Sequence, residues 1–516
     1  MTIWLALDIG TTSAKAALME TKDPLEGAGR MLASTSCDYP TYVESGGIVE
    51  QNAADWWTAA CTAARELDGA IVEGIAITGQ MQDLILLDDA GEAIRPAILY
   101  NDTRATTEAV WINDRVGRDW LAQVTGYEQD AGSLLTKFRW LAAHEPQSLA
   151  SATHLLTGAG DVVAQRLTGV FVTDTTTAGT TGLLDLQRRT WLDERTLATI
   201  ELAPTRHLYP TLTPGGGQVG VVHEQGAAAF GVRAGIPVHL GPGDAGAITI
   251  GMQANMPGLP YAYIGTSGWI GAVSLEQGDY KQGVWSLPDI ISDTFFCLAP
   301  LLTAGGNFEW MTQITGAPDV ATLIAKAVPH DWSRDPLIYL PYLNGERSPI
   351  KDPFARGAFI GLSAAHTSDD LSYAVLQGVA FALRHALEAL LKERQSAGQG
   401  AARLLSVTGG GAQSPVWNQL LADVLNLKVV VYPETQFVGL VGAVHAAQQA
   451  TNDAAQRAHR TLGLPSVSVN IYAEGVVKNY TPNKAESARH NVTYQWFRDA
   501  YPALKGLFAD MGSKRK

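Results

Sequence analysis

The sequence is poor in the features that mark secreted, membrane-spanning or nucleic-acid-binding proteins. Only three of its 516 residues are cysteines, and Cys37, Cys61 and Cys297 are far apart and lack metal-ligand spacing. This pattern favours reduced thiols in a cytoplasm. No run of about 18 apolar residues predicts a transmembrane helix, and Asp8 interrupts the N-terminal apolar run too early for a signal peptide. The net charge of −14 argues against a general nucleic-acid or anionic-membrane surface.

Two widespread phosphate-binding motifs are also missing. The pattern G-x-x-x-x-G-K-[S/T] does not occur, which excludes a P-loop NTPase. The segment "TGGGAQSP" follows a predicted strand and opens a helix, but its glycines are consecutive and lack G-x-G-x-x-G spacing. The acidic residue that a dinucleotide fold needs about 20 residues further on is absent too, because residues 429–433 read "VVVYP". A Rossmann dehydrogenase is therefore a poor fit.

The composition that remains is that of a globular α/β protein. Hydrophobic residues make up 46% and charged residues 17% of the chain, which leaves ample apolar surface to bury. The length exceeds one compact core and predicts two large domains. The segments "IVEGIAITGQ", "AILYNDTRA" and "IPVHLGPGDAGAITIG" are apolar runs that end in polar loops, interleaved with helical stretches. This organisation predicts an α/β fold with its site at strand ends.

The opening stretch "WLALDIGTTSAKAALM" predicts a strand, a Gly-Thr-Thr turn and a second strand. Backbone N–H groups and hydroxyls in such a turn suit a phosphate, and the carboxylate of Asp8 suits a metal ion. The alternative is an ordinary hairpin with a buried or capping Asp. The segment "YAYIGTSGWIGAVS", residues 261–274, repeats the pattern half a chain later. The repeat predicts two related halves, with a boundary in the turn-rich residues 250–258.

Two long helices are expected in the second half. The segment "DDLSYAVLQGVAFALRHALEALLKER" has apolar residues at helical spacing, with Ser368 and Asp369 as cap candidates, and predicts a mostly buried helix. Residues 451–516 are polar at first and then helical around "VTYQWFRDAYPALKGLF". We interpret them as ending in a packed C-terminal helix, not as a third domain.

Taken together, the motifs resemble those of the FGGY carbohydrate kinases, of the actin/sugar-kinase/Hsp70 superfamily. "LALDIGTTSAKAAL", "GPGDAGA", "YIGTSG", "LTAGGNFEW" and "VTGGGAQSPVWNQLLADVL" occur in the family's order, and "GAFIGLSAAHTSDDLSYAVLQG" resembles its second signature. "AITGQMQDLILLD" and "YLNGERSPIKDPFARGAFIGL" resemble xylulokinase segments in particular. The resemblance implies two ribonuclease-H-like domains around a central cleft, at residues 1–253 and 254–516.

The resemblance also implies a set of residues that bind Mg·ATP. Asp8 and Asp244 would hold Mg²⁺, and phosphoryl transfer depends mostly on such charge neutralisation and alignment. The turn at residues 10–12 would face the β- and γ-phosphates, the Gly265–Ser267 turn would approach the same phosphates, and the triple glycine would cradle adenosine. The nucleotide-binding residues are Gly10, Thr11, Thr12, Lys15, Gly265, Thr266, Ser267, Gly305, Asn307, Gly409, Gly410, Gly411 and Asn418. The alternative for Asn418 is a polar residue on a helix surface.

Asp244 is the expected catalytic base on the acceptor side. "GPGDAGA" places its carboxylate on a glycine-lined loop with little steric cover, and the resemblance makes it the catalytic Asp. The alternative is an Asx-turn or a helix N-cap. An ordinary Asp with a pKa near 3.9 is a weak base, but the attacking hydroxyl loses its proton late in a loose transition state.

The other acceptor contacts are expected from two strand ends in the first half. The resemblance assigns sugar contacts to Met81 and Gln82, and Asp102 and Arg104 either contact the sugar or only brace their loop. The complete predicted set is Gln80, Met81, Gln82, Asp102, Arg104 and Asp244.

Two departures from the xylulokinase pattern fall in this set. Gln82 and Asp83 replace His-Gly, which removes a sugar contact and adds a charge, and Ala245 replaces an Asn after the catalytic Asp. Both changes leave phosphoryl transfer possible and bear on which sugar is bound.

The sequence therefore predicts an ATP- and Mg²⁺-dependent sugar kinase, with D-xylulose as the favoured acceptor and D-xylulose 5-phosphate as the product. Kinases for another pentulose, a polyol or a sugar acid (ribulose, glycerol, gluconate) are the alternatives, and a non-catalytic sugar or nucleotide sensor is a further one. We expect a cytoplasmic protein that binds small molecules, not nucleic acid or membranes. The resemblance is compatible with a homodimer.

Overall fold

The structure, a computed structural model, describes residues 1–21, 30–289, 294–327, 335–396, 402–432, 435–460 and 477–513. The chain forms two compact units. The first comprises Met1–Gly251, Ser286–Phe296 and Phe437–Gly475, and the second comprises Met252–Trp285, Cys297–Gln436 and Val476–Lys516. The chain thus leaves the first unit after Gly251, returns to it for Ser286–Phe296, and re-enters it again at Phe437. The single boundary at 253/254 stays a prediction about domains.

The described residues combine helices with two large sheets that contain parallel strands, which confirms the α/β class. The strands are β1 Thr2–Ile9, β2 Ser13–Thr21, β3 Arg30–Asp38, β4 Tyr42–Glu44, β5 Ile48–Gln51, β6 Gly74–Gly79, β7 Met81–Leu87, β8 Ala97–Ile98, β9 His154–Gly158, β10 Val172–Asp174, β11 Leu184–Asp185, β12 Thr190–Trp191, β13 Thr211–Thr213, β14 Gln218–Val221, β15 Pro237–Leu240, β16 Tyr261–Ile264, β17 Gly268–Ser274, β18 Trp285–Pro288, β19 Phe295–Leu301, β20 Ile338–Leu340, β21 Ala358–Ile360, β22 Leu404–Thr408, β23 Lys428–Val431 and β24 Lys478–Tyr480.

The helices connect strands of the same sheet or cover its faces. They are α1 Ala53–Arg65, α2 Thr106–Val116, α3 Arg118–Thr125, α4 Leu134–His144, α5 Pro146–Ser151, α6 Ala159–Thr168, α7 Thr175–Gly179, α8 Glu194–Thr199, α9 Glu224–Phe230, α10 Gly243–Gly251, α11 Gly306–Thr315, α12 Val320–Ala327, α13 Ser368–Ser396, α14 Pro415–Leu425, α15 Val438–Arg460 and α16 Lys484–Ser513.

Two large sheets carry the two repeated hairpins and share one topology. The first has the order β14-β15-β6-β1-β2-β3, and the second has the order β18-β19-β17-β16-β22-β23-β24. In the first, β1 is antiparallel to β2 and parallel to β6, β15 is parallel to β6, and β14 is antiparallel to β15. In the second, β16, β17, β22, β23 and β24 repeat these four relations in the same order. The predicted pair of related halves is confirmed.

The first sheet is covered on both faces, which fixes the positions of its strand ends. On one face Leu5, Leu7 and Ile9 of β1 pack into a core with α1, α6 and α9. On the other face the alternate residues Trp4 and Ala6 pack into a cluster with α15. This period-two alternation, with both faces apolar, is typical of central parallel strands.

Helices α10 and α15 pack at unusually close range within the first unit. A Cβ added to Gly442 would lie 1.7 Å from the backbone oxygen of Ala247, and one added to Gly251 would lie 2.2 Å from the oxygen of Val438. Only glycine permits these approaches. Because α10 ends and α15 begins at these contacts, the chain leaves and re-enters the first unit at neighbouring points. The return of the chain at Phe437 could not be located from the sequence.

The two long helices of the second half are where the sequence predicts them. Residues Ser368–Lys392 of α13 are long and apolar enough to cross a membrane by composition, but 83% of the apolar window is buried inside the protein, as in a core helix. α16 packs within the second unit through Tyr494, Phe497, Tyr501 and Phe508, which are all buried. Both expectations are confirmed; the tail after residue 513 lies outside the described residues.

Candidate active site

Three neighbouring parallel strands of the first sheet, β15, β6 and β1, end side by side and present polar residues at that edge. Asp8 is the penultimate residue of β1 and is paired with Thr78 of β6. β15 is followed by Gly241, whose N–H donates to the backbone oxygen of Ile77 over 2.6 Å, and then by Asp244 in the first turn of α10. The carboxyl ends of adjacent parallel strands are where α/β folds form ligand sites, so the predicted metal ligand and the predicted base share one edge.

The charge of Asp8 acts on Asp244, and burial affects both carboxylates. Both are half-buried, and the Oδ1 atom of Asp8 is enclosed without a hydrogen-bond partner. Burial, together with the nearby charge of Asp8, raises the pKa of Asp244 to about 7. Burial likewise raises the pKa of Asp8, and the neighbouring Lys15 opposes that shift. Ionising both carboxylates in this environment is unfavourable, and a divalent cation bound between them would remove that electrostatic cost.

The residues present fit a Mg²⁺ ion that is carried mainly by the nucleotide. Within the described ranges there is no cluster of three or more His, Cys, Asp or Glu residues that could hold a metal by itself. Mg²⁺ typically takes only one or two protein carboxylates and completes its shell with substrate phosphates and water. Asp8, with one unpartnered oxygen, and Asp244 beside it match that requirement.

Three hydrogen bonds to backbone oxygens hold the turn between β1 and β2 in place. The Gly10 N–H donates to the Ser13 oxygen over 3.0 Å, and the Tyr39 hydroxyl donates to the Gly10 oxygen. The Gln51 side chain donates to the Thr11 oxygen over 2.6 Å. The Thr12 side chain is exposed, and Thr11 is half-exposed. The turn therefore presents small residues on a braced backbone, as a phosphate loop needs.

The Gln80-Met81-Gln82 segment lies next to the loop that carries Asp244. Gly243 has a φ of +62°, and a Cβ there would be 2.5 Å from the Met81 sulfur. Gln80 donates through Nε2 to Gln51 Oε1 over 2.9 Å, while its own Oε1 is buried without a partner. Gln82 is a non-glycine residue with a φ of +68°, a strained conformation common at functional sites. The structure therefore brings this segment and Asp244 together.

Asp83 adds a charge at a position where the xylulokinase pattern has glycine. Its side chain is fully buried beside a fully buried lysine. Its Oδ1 accepts the Tyr100 N–H over 3.3 Å, and Oδ2 has no hydrogen-bond partner. Lys137 donates to the Leu99 oxygen over 2.6 Å. Burial raises the pKa of Asp83 well above its usual value and lowers the pKa of Lys137 to about 8, and each partly offsets the shift of the other. The carboxylate thus lies inside the protein.

Asp102 and Arg104 are bound to each other and to the strand beside them. The Asp102 carboxylate accepts the Val49 N–H over 2.6 Å and the Arg104 guanidinium over 2.7 Å. Arg104 also donates to Glu50 over 2.7 Å and stacks on the Trp140 ring. The Asp102 side chain is 0% exposed and that of Arg104 6%. These contacts support the bracing alternative for both residues.

The nucleotide-binding residues predicted for the second half meet in three glycine-containing turns. A Cβ on Gly305 would be 2.5 Å from the Gly265 oxygen, and a Cβ on Gly409, whose φ is +88°, would be 2.5 Å from the Ile264 oxygen. The Gly305 N–H donates to the Gly265 oxygen over 2.8 Å. Gly410 is exposed, with nothing within 4 Å of its Cβ position, and the Thr266 and Ser267 side chains are exposed. The turns therefore form one open, small-residue surface.

The two asparagines of that set are buried beneath the turns. The Asn307 amide donates to the Thr303 oxygen over 3.1 Å and accepts the Tyr339 hydroxyl over 2.9 Å. Asn418 donates to the Ala412 oxygen over 2.8 Å, and its Oδ1 has no hydrogen-bond partner. Asn418 is fully buried, so the alternative of a surface position is wrong. The contacts that the structure gives these amides hold the turns in place.

Sequence reasoning missed two residues next to the predicted set. Gln51 links the phosphate turn to Gln80, yet nothing in "GIVEQNAADWW" distinguishes it. Gly439, at the beginning of α15, approaches so closely that a Cβ there would lie 3.2 Å from Asp8 Oδ2. The small residues of "VGLVGAVHAA" were the available signal for that approach.

Comparison with known proteins places this arrangement in a family. Residues 3–251 match the N-terminal domain and residues 261–451 the C-terminal domain of the FGGY family of carbohydrate kinases. The chain belongs to the FGGY family. The kinase is 30% identical to the xylulose kinase of Escherichia coli (strain K12) over 526 residues, 98% of this chain and 100% of that protein.

Solved structures agree on the fold. The kinase resembles the crystal structure of xylulose kinase from Rhodospirillum rubrum at 26% identity and a TM-score of 0.83, with 98% and 100% of the two chains covered. It resembles the gluconate kinase of Lactobacillus acidophilus at 25% identity and a TM-score of 0.86, with 99% of each chain covered. The kinase is therefore an ATP-dependent carbohydrate kinase with the two-domain sugar-kinase fold. Since relatives named for two acceptors match equally well, the fold alone does not specify the sugar.

Proposed function

We propose that the kinase transfers the γ-phosphoryl group of ATP to D-xylulose and forms D-xylulose 5-phosphate, with Asp244 as the base and Mg²⁺ as the charge-neutralising ion. The observation that carries the proposal is the pair of half-buried carboxylates at the ends of β1 and β15. In the protein without a metal ion, burial and the charge of Asp8 raise the pKa of Asp244 to about 7, so the carboxylate has a higher proton affinity than an ordinary Asp.

In this mechanism the residues of the chain position and deprotonate the acceptor. The carboxylate of Asp244 accepts the hydroxyl proton as the acceptor oxygen bonds to the γ-phosphorus and the bond to the β-phosphate oxygen breaks. The Gly10–Thr12 turn and the Gly265–Ser267 turn would donate backbone N–H groups and hydroxyls to the phosphates. Asp8 and Asp244 would hold Mg²⁺, which supplies positive charge to the transferring group when bound.

The charges on the acceptor side favour a neutral sugar over an aldonate. Asp8 and Asp244 make the edge acidic, and a sugar carboxylate would need a cation to pair with. The two cations that the structure describes behind the acceptor segment are already engaged, since Arg104 binds Asp102 and Glu50 and Lys137 binds the Leu99 oxygen. The xylulose kinase relatives agree with a neutral ketose.

The remaining parts of the proposal concern the location of the kinase in the cell and its oligomeric state. We propose a cytoplasmic location, in keeping with three free thiols, and a homodimer, as the resemblance to the family allows. Neither is needed for the chemistry.

A panel assay of ADP release tests the proposal. The purified kinase is given Mg·ATP with D-xylulose, D-ribulose, glycerol or gluconate, and kcat/KM is compared. We expect D-xylulose to give the highest value and gluconate the lowest. A higher kcat/KM for another pentulose or a polyol would contradict the assigned sugar, and no turnover with any acceptor, together with retained binding, would favour the sensor alternative.

A further inference from the structure

Helix α16 carries an apolar stripe that faces away from its own core. Its buried face is formed by residues such as Tyr494, Phe497, Tyr501 and Phe508. About 110° around the helix, at 100° per residue, the exposed or half-exposed residues are apolar again. These residues, which we call the α16 stripe, are Val492, Trp496, Ala500, Ala503, Leu507 and Met511.

The stripe is exposed to a degree that is unusual for large apolar side chains. Val492 is 55%, Trp496 44%, Leu507 56% and Met511 51% exposed. Single exposed apolar residues are ordinary, but a continuous row along more than five turns of one helix marks an interaction surface. The third face of the helix is polar and includes Gln495 and Lys505, so the stripe has a defined edge.

The order of residues in the stripe is self-complementary. Its members are placed symmetrically about the midpoint between residues 501 and 502. Val492 is as far before that point as Met511 is after it, Trp496 corresponds in the same way to Leu507, and Ala500 to Ala503. Two antiparallel copies of α16 would therefore place a large residue opposite a large one at each end and two alanines opposite each other at the centre, where the helices cross most closely.

Charges at the two ends select the antiparallel arrangement. Arg489 lies at the N-terminal end of the stripe, where it pairs with Glu486 of the same helix over 2.7 Å and has a side chain that is 52% exposed, and Asp510 lies at its C-terminal end. An antiparallel pair brings Arg489 of one copy to within about one helical turn of Asp510 in the other, at both ends. A parallel pair would place Arg489 beside Arg489 and Asp510 beside Asp510, which is unfavourable.

A cavity beside the stripe provides space for the opposing side chains. It has a volume of about 320 Å³ and is lined by Tyr373, Ala374 and Gln377 of α13 and by Val492, Thr493 and Trp496 of α16. In the antiparallel register, Met511 and Leu507 of the second copy would face Val492 and Trp496. The cavity is large enough to receive one of these side chains.

From these observations we infer that two copies of the kinase associate through the α16 stripe, as an antiparallel pair related by a two-fold axis near residues 501 and 502. Such an interface is isologous, with the same patch on both subunits. This inference specifies the surface of the homodimer in the proposed function, and it does not depend on which sugar is phosphorylated.

Sedimentation velocity of the full-length kinase at about 10–50 μM tests the interface. We expect wild type to sediment as two chains and Leu507→Glu as one. The matched control is Ile314→Glu on α11, where the wild-type side chain is 61% exposed but lies outside the stripe; it should sediment like wild type. Thermal melting of each variant, and ADP release measured with its best acceptor, distinguish loss of pairing from loss of folding or of catalysis.

A charge swap tests the antiparallel register. Arg489→Asp should shift the population toward single chains, and adding Asp510→Arg in the same chain should restore two. Wild type that sediments as one chain, Leu507→Glu that stays paired, or a double variant that fails to recover would each overturn the inference.

Discussion

At the residue scale, the central feature is a pair of carboxylates held close together at the edge of the first sheet. Asp244 has a pKa of about 7 because it is half-buried and near Asp8. The same environment that makes it a useful base makes its ionised form costly in the folded protein without a cation. Function and stability therefore oppose each other at this position.

Replacement of Asp244 by Asn should stabilise the metal-free protein in a pH-dependent way. The folded-state pKa of about 7 exceeds the ordinary 3.8, so the folded protein binds more protons than the unfolded chain between those values. The wild type should therefore lose stability relative to Asp244→Asn as the pH rises from about 4 to about 7, with a constant difference above. We expect about 1–3 kcal/mol at pH 8, allowing for partial exposure. Denaturant unfolding in EDTA measures the difference in unfolding free energy between Asp244→Asn and wild type. The same difference at pH 8 and at pH 5 would contradict the raised pKa.

Asp8→Asn should weaken the use of Mg·ATP far more than sugar binding. An amide keeps the shape of the side chain but removes the charge that Mg²⁺ requires, while the enclosed Oδ1 has no protein partner to lose. We expect the Mg²⁺ concentration for half-maximal rate to rise by about 10- to 100-fold. Kinetics against Mg²⁺ at saturating acceptor give the value, with the acceptor KM as internal control. An unchanged Mg²⁺ requirement would remove Asp8 from the metal site.

At the element scale, the repeated hairpins and their sheets position the ligand-binding turns. Each hairpin turn is followed, in the same sheet, by a parallel strand and a glycine-rich or polar loop. The close packing of α10 on α15 then brings the beginning of α15 against Asp8. The glycines at the contact between α10 and α15 should therefore tolerate substitution as poorly as residues in the site.

Gly442→Ala should destabilise the kinase, because its Cβ would overlap the backbone of α10 at Ala247. Overpacking of this kind costs about 1–3 kcal/mol. Gly506→Ala is the matched control, since that helical glycine has open space around its Cβ position, and it should stabilise by about 0.5–1 kcal/mol. Thermal melting compares the two variants. Equal effects on the melting temperature would show that α10 and α15 are not in close contact.

The elements that could be predicted from the sequence are those with a local signal. The strand-turn-strand pattern at residues 4–19 and 261–274, and the helical spacing of α13, depend on neighbouring residues and are correct. The polar residues at the strand ends could be assigned to one site, because the carboxyl ends of parallel strands lie at the same edge of a sheet. Gln51, the burial of Asp83 beside Lys137 and the approach of Gly439 to Asp8 depend on residues distant in sequence. No local pattern contains that information.

At the scale of the whole molecule, the two hairpin turns belong to different compact units. We propose that both turns bind the phosphates of one ATP, as the family resemblance implies. In that case we expect the two units to move relative to one another when the nucleotide binds, with hinges at the chain crossings next to Gly251 and Phe437. Closure would exclude water and limit wasteful hydrolysis of ATP.

Solution scattering tests closure directly. Acceptor sugar together with a non-hydrolysable ATP analogue should reduce the radius of gyration relative to the free protein. Either ligand alone serves as the comparison and should have a smaller effect. Superimposable curves for the free and doubly liganded protein would exclude a large domain motion.

The proposed chemistry depends above all on Asp244, so the decisive experiment compares the rates of D-xylulose phosphorylation by wild type and by Asp244→Ala, each with Mg·ATP. A positioned base typically contributes about 10²-fold or more, so kcat should fall by at least that factor while the variant still binds ATP and melts as a folded protein. This result would establish that the Asp244 carboxylate is required for the chemical step of a working sugar kinase. A variant that binds ATP and keeps more than about a tenth of the wild-type kcat would contradict that role.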